Sequence, residues 1–354
     1  MQIVGITPHG WDGLDSSLGH QNSVVDSNHL VSSAASSYAL PHFSGAPVTP
    51  SVPASPASTL VGSSTDLEIN LIWDASVRNS TNWSAIEAAV VAAAQIYTND
   101  FSNHIVINIA VGFGEIGGSK LSSSALGESE SSTITTNYSN VKGALTTADA
   151  GLVSGGLMSS DALTANTPPT TAKFSVASAE AKALGLINGH STTIDGYIGI
   201  GSSSSLYFPT KGSTIGSHQY DAVGVAAHEI SEVMGRASGL DGVTSGSHNV
   251  TYTPLDLFRY TAPNVRDLTP TTGYFSATDG SGGATALNTY NIPKNGGDAA
   301  DWASAGATNA VVNDAFDAFG TPGVTTSVSP TDILQEAVLG YNLTSGLPKT
   351  STVA

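Results

Sequence analysis

The run Asp221–Gly239, DAVGVAAHEISEVMGRASG, constrains this chain more than any other segment. Val223, Val225, Ala226, Ala227, Ile230, Val233 and Met234 place apolar side chains all round a helix over Ala222–Met234, so that helix belongs inside a core. Asp221 is a good N-cap and Gly235 a good helix stop. Yet His228, Glu229 and Glu232 lie in the middle of it. Buried ionisable groups are costly unless something satisfies them. The fold must therefore wrap this helix on several sides and bring a metal, a charge partner or a wet cleft to its centre.

The rest of the chain can supply such a wrapping. Its 354 residues suffice for one large domain. Leu67, Ile69, Leu71 and Trp73 alternate as in a strand. Ser84 and Glu87 read as a capping box ahead of a helix over Ala85–Tyr97. Ile105–Gly112 is almost continuously apolar and reads as a second strand, so a parallel strand–helix–strand crossover is expected. Further helices are expected near Ser139–Ala150 and Ala177–Leu186, with short strands at Asp195–Gly201 and Leu206–Phe208. Gly114–Thr136 reads as a Gly/Ser-rich loop, and the chain beyond Gly239 as loops with short strands. Residues 1–62 are rich in Ser, Ala and Pro, including PVTPSVPASPAS at Pro47–Ser58, and read as a disordered arm. The domain is expected over 63–345, with a flexible tail over 346–354.

In the central helix, His228 and Glu232 are i and i+4, so they leave one face a turn apart and can reach one ion. Glu229 is offset beside that ion, where it can take a proton from a metal-activated water. This is the logic of H-E-x-x-H with glutamate in place of the second histidine. An inert polar network is the competing reading of the same three residues.

The segment resembles the zinc metallopeptidases of the zincin group, and more narrowly a family of predicted secreted bacterial metalloproteases typed by HEISEVMGR. Other elements that resemble that family are Asp256–Tyr260 (DLFRY), Tyr274–Ser276, Gly297–Asp298 with Asp301–Trp302, and Gly340–Tyr341. The resemblance covers roughly residues 66–342. It implies an α+β, zincin-like domain: a twisted mixed sheet, an active-site helix and a loop-rich C-terminal half. It also implies a secreted metalloendopeptidase with Glu229 as general base, zinc as the metal and a protein or peptide as substrate. Three departures stand out. Glu232 replaces the usual histidine, Ser238 stands where metzincins place a third one, and no methionine follows Met234.

A third ligand must come from elsewhere. Asp256 is favoured, because a carboxylate in the apolar segment PLDLFRY needs a reason to be there. A salt bridge to Arg259 or Arg236 is the alternative reason. His248 is the next candidate, followed by Asp241, Asp267, Asp279, Asp298 and Asp301. Tyr260 or Tyr252 is a candidate to polarise a carbonyl. Asp279–Gly283 and Gly296–Asp298 with Asp301 also resemble calcium-binding turns, which makes calcium a second candidate ion. His190 and His218 read as surface or capping residues.

Composition excludes several classes. There is no cysteine, hence no disulfide, thiolate metal site or cysteine nucleophile. The net charge of −17 leaves no basic footprint for nucleic acid. The longest apolar stretch, Ile86–Ile96, is too short to span a bilayer, and membrane insertion is not expected. Met1–Gly13 has neither a basic nor an apolar signal-peptide region, so the extracellular location implied by the resemblance comes without a readable signal. Gly112–Gly117 spells G-x-G-x-x-G after a strand, but no helix start or acidic partner follows it. G-x-S-x-G and Walker motifs are absent. A monomer is expected.

Overall fold

The structure, a computed structural model, describes residues 9–13, 57–160, 162–163, 168, 171–241, 243, 250–269, 271–278, 287–292, 295–303 and 313–347. It is an α+β arrangement built on one mixed sheet of seven strands. These are β1 (His9–Gly13), β2 (Ser58–Gly62), β3 (Leu67–Trp73), β4 (Ile105–Phe113), β5 (Ala125–Ser131), β6 (Gly196–Ile200) and β7 (Phe319–Gly320), in the spatial order β7-β1-β5-β6-β4-β3-β2.

The expected crossover is present. β3 and β4 pair in parallel from Leu67 opposite Ile105 to Trp73 opposite Val111, joined through helix α1 (Trp83–Asp100). β6 extends the parallel set on the other side of β4, while β2 and β5 run antiparallel to their neighbours. α1 begins at Trp83, with Asn82 at its N-cap and no side-chain cap. The capping box read at Ser84 and Glu87 does not form. Glu87 instead accepts a hydrogen bond from the Thr59 hydroxyl (2.8 Å), which ties α1 to β2.

Two pieces of the expected arm are strands of this sheet, β1 and β2. The ordered domain therefore starts before residue 63. A low-complexity sequence conceals both strands, because each is short and gains its stability from the ladder rather than from a long apolar face. The expected tail is described up to residue 347.

Gly114–Thr136, expected as a loop, contains β5 and a further strand over Thr133–Asn137. The latter joins Lys173–Ala177 and Thr251–Tyr252 in a three-stranded sheet. Helices α2 (Tyr138–Ala148) and α3 (Ser178–Ala183) fall where periodicity placed them. Helix α4 (Ala222–Met234) matches its expected bounds. The Asp221 carboxylate accepts from the Val223 amide (3.1 Å), and Gly235 ends the helix at φ 133°, a conformation that disfavours any side chain.

Every residue of α4 is buried. The helix packs beneath β5 and β6 and against α1. Two tyrosines fix its height: Tyr97 of α1 donates to the Ala227 carbonyl (2.6 Å), and Tyr341 donates to the Met234 carbonyl (2.8 Å). Helix α5 (Pro330–Ala337), not anticipated, starts with Ser329 and Asp332 in a capping box and Pro330 in its first turn. Among the described residues, no helix is long and apolar enough to cross a membrane.

Candidate metal centre

On α4, His228 and Glu232 do share a face. His228 Nε2 lies 3.5 Å from Glu232 Oε1. A loop residue from the C-terminal half completes the group: Asp301 Oδ1 is 3.4 Å from the same imidazole nitrogen. One ligand atom from each of the three lies within 4.8 Å of the other two, and all three residues are buried. An ion bound tetrahedrally at about 2.1 Å separates its ligand atoms by roughly 3.4 Å. The two distances from Nε2 match that spacing, so this buried group can hold a metal ion. Among the described residues it is the only such group.

The surroundings orient each ligand. His228 Nδ1 is 2.8 Å from the Ala315 carbonyl. A carbonyl only accepts, so Nδ1 donates to it and Nε2 is the nitrogen turned towards Glu232 and Asp301. The Ser129 hydroxyl of β5 donates to Glu232 Oε2 (2.6 Å), leaving Oε1 to face the imidazole. Phe316 packs edge-on against His228.

Glu229 stands beside the group. It is wholly buried, and neither carboxylate oxygen has a hydrogen-bond partner. Burial, and then the charge of Glu232, push its pKa well above the ordinary carboxylate range. Asp301 is raised to about 6, mainly by burial, with the charges of His228 and Arg236 pulling the other way. Arg236 Nη1 lies 2.5 Å from Asp301 Oδ1, and Nη2 lies 3.5 Å from Glu232 Oε1. Its guanidinium also covers the Phe316 ring at 4.4 Å.

No protein-family model matches the chain, and no curated protein or solved structure is significantly similar to it.

Asp256, the residue favoured from the sequence as third ligand, is not in this group. Its carboxylate serves a turn, accepting from the Ser238 hydroxyl (2.6 Å) and from the amides of Thr253 (2.8 Å) and Gly239 (3.0 Å). It forms a capping box with Thr253 at the short 3₁₀ helix Pro254–Phe258. The need for a reason was real, but backbone donors supply it. Arg236 pairs with Asp301 and Glu232, while Arg259 lies 3.5 Å from Asp267. The Tyr260 hydroxyl donates to the Ala162 carbonyl (3.1 Å), and Tyr252 packs on Phe174. Asp241 accepts from the Ala299 amide (2.7 Å). Asp298 lies close enough to Asp301 and Glu229 for its charge to raise the pKa of both. His248 and Asp279, with the Asp279–Gly283 turn, lie outside the described residues.

Asp301 carries a weak sequence signal: it is one of nine aspartates downstream of the central helix. What marks it is the neighbouring Trp302, whose indole donates to Asp332 (2.7 Å) at the start of α5 and so fixes the loop against a helix.

Proposed function

We propose that this chain is a secreted metalloendopeptidase in which His228, Glu232 and Asp301 hold a zinc ion and Glu229 is the general base. The observation that carries the reading is the convergence of those three ligand atoms beside a carboxylate that nothing else satisfies. An imidazole with two carboxylates is a donor set that zinc accepts, though a harder one than two histidines supply. When bound, the ion contributes Lewis acidity towards water and a peptide carbonyl. With a cation held by His228, Glu232 and Asp301, the repulsion between Glu229 and Glu232 would be offset and Glu229 would ionise more readily. Ionised, Glu229 accepts a proton from water and returns it to the leaving amine nitrogen. The Cys-free composition with few lysines suits an extracellular protein.

Elemental analysis and casein hydrolysis test this together. Wild type is expected to carry one equivalent of zinc, and His228→Ala none. Glu229→Gln is expected to keep the zinc and lose on the order of 10²–10⁴ in rate. Full proteolysis by Glu229→Gln overturns the mechanism.

One observation favours a second reading, a non-catalytic protein of the same architecture. Arg236 already neutralises Asp301 and Glu232, so the three groups can persist as a salt-bridged network. Absence of stoichiometric metal after incubation with zinc selects that reading.

A further inference from the structure

Two histidines that lie far apart in sequence meet on the surface, because the sheet brings their segments together. β4 and β6 are parallel neighbours, with Gly196 opposite Ile109. His104 immediately precedes β4, and His190 stands on the approach to β6, so both lie at the same end of the pair. Their ring centres are 4.8 Å apart, and the ring planes are inclined by 72° rather than stacked face to face. Both residues are exposed, and neither imidazole has a hydrogen-bond or ion-pair partner among the described residues.

The backbone on each side of the pair is anchored from within the fold. Asn103 is buried, and its side chain donates to the Gly340 carbonyl (3.0 Å) and accepts from the Asn342 amide (2.7 Å). The Val106 amide donates to the Gly189 carbonyl (2.9 Å), which joins the two approaches directly. Gly189 permits that closeness: a β-carbon there falls 2.7 Å from the Ile105 Cγ2 atom. Beyond His190, the Ser191 carbonyl accepts from the Asn108 amide group (2.9 Å) and from Lys182 Nζ (3.1 Å). The two side chains thus start from fixed positions, and little backbone entropy is left to lose when they share a ligand.

The separation of the rings suits one shared ion. A metal–imidazole bond of about 2.1 Å places the ion roughly 3.2 Å from the ring centre. Two rings at ligand angles of about 90–110° then have centres roughly 4.5–5.3 Å apart. The observed 4.8 Å lies inside that range. Two neutral nitrogens with positions open to water suit nickel, copper and zinc, and copper(II) binds such a set most tightly. The chemistry differs from that of the central group, where two carboxylates accompany one imidazole.

We propose that His104 and His190 form a second, exposed metal site, a two-imidazole clamp for a divalent ion of the nickel–copper–zinc group that joins the approaches to β4 and β6. The site shares no residue with the central group and stands or falls independently of the peptidase reading.

Copper(II) chloride is the probe, and the full chain is the protein. Equilibrium dialysis with elemental analysis gives the copper bound by wild type, His104→Ala, His190→Ala, the double variant and His228→Ala. Both histidines are exposed, so alanine at either position leaves the fold intact. Each single variant is expected to bind one equivalent fewer than wild type, and the double variant no fewer than the singles. Where residual binding is measurable, its affinity should fall at least tenfold, since losing a ligand costs more than the about 10–100-fold typical of losing a supporting bond. Electron paramagnetic resonance of the clamp, recorded on His228→Ala, should show coupling to two imidazole nitrogens. Copper binding unchanged by either substitution, loss on only one of the two, or coupling to a single imidazole overturns the proposal. Should His228→Ala fail to fold, the wild-type spectrum minus that of His104→Ala gives the same reading. Absence of metal at the central group, with the clamp equivalent still lost on both single substitutions, defeats the peptidase reading and leaves the clamp standing.

Discussion

Gly127 of β5 leaves room for Glu229 that no other residue leaves: a β-carbon added at 127 falls 2.4 Å from Glu229 Oε1 and 2.8 Å from a Val225 methyl. The strand and the helix approach so closely here that the absence of one methyl group sets the position of the proposed base.

Gly127→Ala is therefore expected to displace the Glu229 carboxylate while leaving His228, Glu232 and Asp301 in place. Casein hydrolysis should fall at least tenfold with zinc content unchanged. The overpacking should cost about 1–3 kcal/mol in a denaturant titration.

Ser129→Ala removes the hydroxyl that donates to Glu232 Oε2 (2.6 Å). Freed of that bond, Glu232 loses its fixed orientation towards His228. Loss of such a supporting bond typically weakens metal binding by about 10–100-fold. Competition with a fluorescent zinc chelator measures the change.

Asp301→Ala and Asp256→Ala should part company. The first is expected to remove zinc from the purified protein. The second should keep the zinc and lower stability, because it leaves the Thr253 and Gly239 amides without their acceptor. Elemental analysis and thermal melting, run side by side on both variants, check this.

Asp149 gives stability a pH dependence away from the centre. Burial raises its pKa to about 8, and neither oxygen has a hydrogen-bond partner. A carboxyl with a raised folded value binds its proton more tightly when folded. Its contribution is fully present below the unfolded value near 3.8 and is lost as pH rises through about 8. Asp149→Asn, neutral throughout, should melt higher than wild type at pH 8.5, with the difference shrinking towards pH 4.

The sequence makes the crossover and the central helix legible for the same reason: each has a strong hydrophobic period and a recognisable end. Asp221 and Gly235 bound α4 to the residue. His228, Glu229 and Glu232 were legible because ionisable groups inside an apolar helix require an explanation. β5 was not legible. In its second half Gly127, Ser129 and Ser131 are buried while Glu128 and Glu130 are half-exposed, so neither face is apolar. The buried face is polar because it serves the centre, through Ser129 to Glu232 Oε2 and Ser131 to the Glu232 carbonyl (3.2 Å). Sequence rules expect apolar residues on a buried face and fail where hydrogen-bonding side chains replace them. Asp301 was hidden for a different reason: tertiary packing brings it to His228 across many residues of chain, and no local pattern encodes that distance.

The order of strands in the sheet also sets an order of events during synthesis. β1 precedes the other six strands in sequence, yet one of its two neighbours in the sheet is Phe319–Gly320, translated among the last elements of the domain. Until β7 exists, β1 has a ladder partner on β5 alone. Folding that follows translation can pair the β2-β3-β4 side of the sheet first and completes the β1-β7 side last. β1, the earliest of these strands in sequence, is flanked on both sides only once β7 has been made.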